Sequence, residues 1–281
     1  MKTIIIAAGY ATRLGELTRN FPKPLLKIGS TTILDRMLDD LDTIAEIDEH
    51  IVVTNHKFAP IFHDWARERQ APTAPCDSVA RQPQAPTVPC DSVARQPQAT
   101  TVPCASVARR KPITIIDDGT ETNETRLGAV CDLLLAINQL GIDDDILVAA
   151  ADNILYFRFR EFVDFARQKQ TSCIMCHEQP SIEKLQRTGV IVVDEQMRVL
   201  NMEEKPQQPK SHWAVPPFYI YLRHDLPLVR ASVAGGCGKD APGNLAHYMV
   251  DRTTMHAWPM TAGRFDIGSL DTYREAQRLF A

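Results

Sequence analysis

Hydrophobic residues in this chain fall into short apolar runs that alternate with stretches of helical periodicity. Lys2-Thr3-Ile4-Ile5-Ile6-Ala7 opens the series, a β-branched run of the kind that forms a buried strand. Ile33, Leu34, Met37, Leu38 and Leu41 then recur at helical spacing, with Ser30 or Thr31 expected as the cap. Residues 51–54 read as the next strand and 58–69 as the helix after it. Strand, helix, strand in succession predicts parallel pairing with helices on the faces of a sheet. The alternation resumes at 113–117, a strand turning at Asp118-Gly119-Thr120, and a helix presenting Val130, Leu133, Leu134, Ile137 and Leu140. Further strands are expected at 146–151, at 172–177, in a hairpin of 190–194 and 198–200, at 213–221 with Pro216-Pro217 inside it, and at 255–258. Further helices are expected at 160–168, from beyond Asn244 to Val250, and at 270–279. The fold class is α/β with a mostly parallel mixed sheet.

One stretch departs from this pattern. Residues 71–112 are three tandem fourteen-residue units, the first two nearly identical from Ala71 and from Ala85, and the third a drifted copy from Ala99. Proline recurs in every unit and opposes helix and central strand alike. Each unit also has too few apolar residues to bury a face. The expectation is one domain over 1–281, interrupted by a Pro-rich surface insert that is extended or disordered. Cys76, Cys90 and Cys104 recur at the repeat period but lack zinc-site spacing, with no histidine among them.

Composition narrows the function. At 281 residues and 44% hydrophobic content the chain can bury a sizeable core. A net charge of -4 argues against a nucleic-acid partner, since no basic stripe is available to neutralise phosphates in series. No apolar run approaches the roughly 20 residues of a membrane span, and the N-terminal run is too short for a signal-peptide core. A cytoplasmic protein with reduced thiols is expected. Cys173-Ile174-Met175-Cys176-His177 matches the haem-attachment spacing, but it lies in an apolar run whose residues point alternately to opposite faces. Buried strand thiols are the expected reading.

The candidate chemistry begins after the first strand. Residues 8–18 form a loop of small residues carrying Arg13, and Phe21-Pro22-Lys23-Pro24 follows. Small residues let backbone N–H groups approach phosphate oxygens. Arg13 adds a fork of donors, and Lys23 adds a point charge on a backbone stiffened by prolines on both sides. Neither the P-loop nor the dinucleotide G-x-G-x-x-G occurs, which disfavours a dinucleotide-dependent oxidoreductase. Asp152 follows the apolar run 146–151, where open α/β sheets bind ligands.

Ala7-Ala8-Gly9-Tyr10-Ala11-Thr12-Arg13-Leu14, then Leu17-Thr18, then Phe21-Pro22-Lys23-Pro24-Leu25, resembles the signature of the sugar-phosphate nucleotidylyltransferases, or NDP-sugar pyrophosphorylases. The family usually has glycine at Ala11 and proline at Glu16. Met202-Glu203-Glu204-Lys205-Pro206 and Gly263-Arg264-Phe265-Asp266-Ile267-Gly268 resemble two further family segments, in the family's order. The resemblance implies a Rossmann-like three-layer sandwich of the nucleotide-diphospho-sugar transferase type. No hexapeptide repeats occur, so no C-terminal β-helix is expected. Ala8, Gly9 and Arg13 would bind the nucleotide, with Gly128 beside the base and Arg126 a weaker phosphate contact. Arg13 and Lys23 would act on the reacting phosphates, Glu204 on sugar hydroxyls and Lys205 on the sugar phosphate. Asp152, preceded by Ala151 where the family has glycine, and Asp266 would hold Mg²⁺.

The implied activity joins a nucleoside triphosphate and a sugar-1-phosphate into an NDP-sugar, releasing pyrophosphate. Its partners are those two substrates, with no membrane, and homo-oligomers are compatible with it. Thymidylyl or uridylyl transfer leads on family frequency alone. A cytidylyltransferase acting on phosphocholine shares the first motif, though the Glu204-Lys205 pair favours sugar. A catalytically silent regulatory paralogue is a further alternative, and it is disfavoured because the aspartates and lysines are all present.

Overall fold

A computed structural model describes residues 1–71 and 110–280. Apart from its two ends, the repeat insert therefore lies outside the described residues. β1 (Lys2–Ile6) leads through a loop and the single turn α1 (Glu16–Arg19) to the short strands β2 (Lys27–Ile28) and β3 (Thr31–Thr32), then to α2 (Ile33–Leu41). The cap of α2 is Thr32, not Ser30 or Thr31. The β2–β3 hairpin includes both Thr31 and Thr32 and the helix begins only at Ile33, so the residue at the cap is Thr32, whose hydroxyl accepts from the Asp35 N–H at 2.9 Å.

β4 (Glu49–Thr54), α3 (Ala59–Gln70), β5 (Ile113–Asp117), α4 (Ala129–Gln139) and β6 (Ile146–Ala150) follow the expected alternation. Then come β7 (Asn153–Leu155), α5 (Phe159–Lys169), β8 (Ser172–Glu178), α6 (Ile182–Leu185), β9 (Gly189–Val193) and β10 (Val199–Glu204). The run expected as one strand over 213–221 is two, β11 (Trp213–Val215) and β12 (Phe218–Tyr221). Both pair antiparallel with β8, but the register slips across Pro216-Pro217, because proline supplies no ladder N–H. α7 (Leu226–Ala231), which the sequence reading lacked, precedes α8 (Pro242–Val250), β13 (Met255–Pro259), β14 (Arg264–Asp266) and α9 (Leu270–Phe280).

The main sheet runs β10-β9-β11-β8-β12-β6-β1-β4-β5, with β13 parallel to β8. Pairing is parallel throughout β6-β1-β4-β5. β1 connects to β4 and then β5 on one side, and the chain returns to place β6 on the other. The order therefore reverses between β1 and β6, where the loop after β1 and the residue after β6 open a crevice at the strands' carboxyl ends.

Alternation along the strands fills two cores. Ile5, Val52, Leu147, Cys173 and Phe218 pack with α2, α3 and α5 on one face. Ile4, Ile51, Val148, Cys176 and Tyr219 pack with α4, α7 and α8 on the other. This is the expected three-layer sandwich. Cys173 and Cys176 are fully buried on opposite faces of β8, and burial pushes both thiols up to about 12. On α4 the apolar face stops short of Leu140, which is 39% exposed because the helix ends at Gln139. Where the insert leaves and rejoins, Arg110 donates to the Arg69 carbonyl and the Lys111 N–H donates to Asp42 Oδ1 at 2.8 Å. Asp42 also receives Arg69 at 2.8 Å and contacts His50 at 3.1 Å.

Candidate functional site

The loop after β1 begins tied to β4. The Ala7 N–H donates to the Val53 carbonyl at 2.9 Å, and Asn55 Nδ2 donates to the Ala8 carbonyl at 3.0 Å. Beyond that tether, Gly9 faces open space, with nothing within 4 Å of where a Cβ would stand. Ala11 adopts the left-handed conformation, φ 47°, that glycine would take without strain. This costs alanine about 1–2 kcal/mol. Thr18 Oγ1 holds the bend by donating to the Ala11 carbonyl at 2.9 Å. Glu16 opens α1 and pairs on the surface with Arg19 at 2.5 Å. Arg13 stands exposed, with no hydrogen bond or ion pair among the described residues.

Lys23, by contrast, is only 8% exposed, and its Nζ lies 3.0 Å from Asp152 Oδ2. Asp152 Oδ1 accepts from Asn153 Nδ2 at 2.7 Å. Asp266 pairs opposite Asn153 in the β7–β14 ribbon, and the Ile267 N–H donates to the Asp152 carbonyl at 3.2 Å. The two carboxylates thus come onto one edge from sequence-distant segments, Asp152 from the turn before β7 and Asp266 from the end of β14. Asp266 opens to solvent on one side. The protein packed around its other side raises its pKa by partial desolvation, and the charge of Asp152 raises it further, while Lys23, Arg264 and Arg13 oppose both. Arg13, Lys23, Asp152 and Asp266 therefore form one charged centre at the switch point.

Glu204 ends β10, opposite Gly189. Its carboxylate sits between two glycines: a Cβ on Gly243 would stand 2.0 Å from Glu204 Oε2, and one on Gly189 3.2 Å from it. Burial raises its pKa, against the pull of Lys205. Lys205 has φ 50°, donates its N–H to the Thr188 carbonyl at 3.1 Å, and carries an exposed Nζ 4.0 Å from Glu204 Oε1. No hydrogen bond or ion pair joins this pair to Asp152 or Asp266. Thr188 and Asp266 instead line a common cleft of about 680 Å³, together with His177, Lys184, Arg187 and Arg264. Gly128, φ 91°, begins α4, and the place its Cβ would take is filled by the Lys239 carbonyl at 2.5 Å. Arg126 pairs with Asp240 at 2.9 Å and so is engaged within the chain.

The family model described as Nucleotidyl transferase matches residues 2–281. This chain belongs to that family. It is 23% identical to glucose-1-phosphate adenylyltransferase of Geobacillus stearothermophilus over 97% of its own length, and it spans 64% of that relative. It is 20% identical to UTP–glucose-1-phosphate uridylyltransferase AglF of Haloferax volcanii, covering 99% of this chain and 96% of that one. Among solved structures, UDP-glucose pyrophosphorylase complexed with UDP-glucose superposes with a TM-score of 0.71 at 17% identity, over 99% of this chain and 97% of the other. That likeness shows the Rossmann-like nucleotide-sugar transferase fold.

Several residues of the candidate site escaped the sequence reading. Arg264 was visible only as the residue two before Asp266, the spacing that puts both on one face of a strand. His177 lines the cleft with a buried Nδ1 that has no partner among the described residues; burial and then Arg264 lower its pKa. A second carboxyl pair, Asp118 after β5 and Asp132 in the first turn of α4, lies on the far side of the loop. Burial, then the charge of Asp118, lifts Asp132 to about 7. No helix among the described residues is long and apolar enough to cross a membrane.

Proposed function

We propose that this chain transfers a nucleotidyl group to a sugar-1-phosphate. An oxygen of the acceptor phosphate attacks the α-phosphorus of a nucleoside triphosphate. A new P–O bond forms, the bond from the α-phosphorus to the bridging oxygen breaks, and pyrophosphate leaves. The observation that carries this reading is the charged centre at the switch point: Asp152 and Asp266 held together on one edge, with Lys23 buried against Asp152.

Two polyanions must meet in this reaction, so their mutual repulsion is the main obstacle. Arg13, exposed and unengaged among the described residues, would take the triphosphate and the departing pyrophosphate. Lys23, on its proline-braced turn, supplies fixed positive charge at the reacting phosphates. Glu204, seated between Gly189 and Gly243, takes sugar hydroxyls, and Lys205 flanks the acceptor phosphate. The acceptor phosphate is already an anion at neutral pH, so no protein base has to remove a proton. Asp152 and Asp266 fit Mg²⁺, an ion commonly held by one or two carboxylates with substrate phosphates and water completing its shell. When bound, Mg²⁺ would neutralise charge developing on the transferred phosphate.

The relatives' names include glucose-1-phosphate with different nucleotides, which supports the sugar phosphate and leaves the base open. A pyrophosphate-release screen of the four nucleoside triphosphates against sugar-1-phosphates and phosphocholine tests the reading. Release with a sugar-1-phosphate is expected, and release with phosphocholine alone would overturn the acceptor assignment. Asp152→Ala should lower turnover about a hundredfold or more, about 3 kcal/mol of transition-state stabilisation. Turnover within severalfold of wild type would remove Asp152 from the centre.

A further inference from the structure

Lys205 lies on the Thr188 side of the cleft, yet the attacking phosphate has to reach Asp152 and Asp266. Besides Lys23, which is engaged with Asp152, the cation beside Asp266 in the cleft is Arg264. It stands two residues before Asp266 on β14, so the two side chains share a face of the ribbon, and both line the cleft. Its Nη1 donates to Asn153 Oδ1, and Asn153 in turn donates through Nδ2 to Asp152 Oδ1 at 2.7 Å. Asn153 is 2% exposed, so this amide is a fixed link and not a surface contact. One end of the guanidinium is thereby tied to the carboxylate centre. Its Nη2 is not buried and makes no hydrogen bond among the described residues, its buried Nε has no partner there either, and no carboxylate there forms an ion pair with the guanidinium. A guanidinium fork left with donors unspent beside a cleft matches a phosphate, which takes it two oxygens at a time.

We propose that Arg264 grips the phosphate of the acceptor and holds its attacking oxygen at the Asp152–Asp266 edge, with Asn153 as the tether that aims both Arg264 and Asp152. This rests on the reading of the site as a nucleotidyl transfer centre. Lys184 and Arg187, which line the same cleft without ion-pair partners among the described residues, add a positive field that draws the anion in.

The test uses the full chain with glucose-1-phosphate and each nucleoside triphosphate, and inorganic phosphate as a competing probe. Arg264→Gln should raise the KM for glucose-1-phosphate about tenfold or more and lower kcat, while leaving the KM for the nucleoside triphosphate within about twofold. Inhibition by inorganic phosphate against glucose-1-phosphate should weaken in parallel. Arg264→Lys keeps the charge and the stem but not the fork, and should recover part of the KM; it also serves as the readout if the glutamine variant fails to fold. An unchanged acceptor KM in a folded variant, or equal rises in both KM values, overturns the assignment while the transferase reading stands. A wild-type protein that turns over no pair of substrates overturns both.

Discussion

The seat of Glu204 yields a sharp quantitative expectation. In Gly243→Ala the new methyl would stand 2.0 Å from Glu204 Oε2, 3.0 Å from Met202 Cε and 3.1 Å from Glu204 Cδ. Ordinary carbon–oxygen contact begins more than an ångström further out, so the carboxylate or the start of α8 must move by about that much. If α8 yields, the substitution is an overpacked core change costing about 1–3 kcal/mol. At about 2–4 °C per kcal/mol for a domain of this size, the midpoint of thermal unfolding falls by a few degrees to about 10 °C. If Glu204 yields instead, its oxygens leave the place proposed for the sugar hydroxyls, and a displacement of about 1 Å can cost on the order of a hundredfold in rate. In the second case the loss should fall on the acceptor, with kcat/KM for the sugar phosphate down at least about tenfold in steady-state kinetics; in the first the acceptor kinetics stay near wild type. Differential scanning calorimetry separates the two routes, since only the first lowers the midpoint strongly. An alanine variant with both unfolding midpoint and acceptor kinetics at wild-type values would refute the two-glycine seat.

Asp132 links stability to pH. Its carboxyl is raised from 3.8 to about 7 in the folded chain, so between those values the unfolded chain loses a proton that the folded one keeps. Stability should fall as pH rises from about 4 to about 7 and level off beyond, by up to about 4 kcal/mol; Asp132→Asn should gain stability over wild type in urea melts at pH 8 and little at pH 4. With both thiols near 12, Cys173 and Cys176 should resist iodoacetamide at pH 8 while the chain is folded, as mass spectrometry of labelled peptides would show; rapid labelling would contradict their burial. Replacing residues 72–109 by a short linker should leave pyrophosphate release within severalfold of wild type, because Arg69, Asp42, Arg110 and Lys111 join the two ends directly; a folded but inactive deletion would assign the insert a role in the reaction.

Much of the architecture was legible because burial on both faces leaves a plain signature. Apolar runs such as 2–6 and 146–150 have nowhere to go but the middle of a sheet, and α2 shows its period of burial residue by residue. The cap of α2 was misplaced because three hydroxyl residues are consecutive there, and the hairpin, which takes in both threonines, delays the helix start to Ile33. The break at Pro216-Pro217 was visible as a proline pair, but its effect on register depends on β8, a partner that local pattern does not name. At the site, Arg13, Lys23, Asp152 and Asp266 could be picked out individually. Their assembly could not, since the switch point exists only once β6 has crossed to the other side of β1. Arg264, Asn153 and the Asp118–Asp132 pair carry no signal in isolation; their meaning lies in hydrogen bonds and burial between residues far apart in the chain.

The short segment 239–243 spans both halves of the crevice. Its first carbonyls, those of Lys239 and Asp240, cap α4 by accepting from the Val130 and Ala129 N–H groups at 3.0 and 3.2 Å, and its last residue is the glycine under Glu204. A backbone strut this short transmits displacement from end to end. On the proposed reading, a sugar seated against Glu204 and a base beside α4 would stand at opposite ends of this strut, so a shift at one end would be felt at the other. Thermodynamic reciprocity makes the two effects equal. A coupling carried by this strut would therefore be the same whichever substrate arrives first.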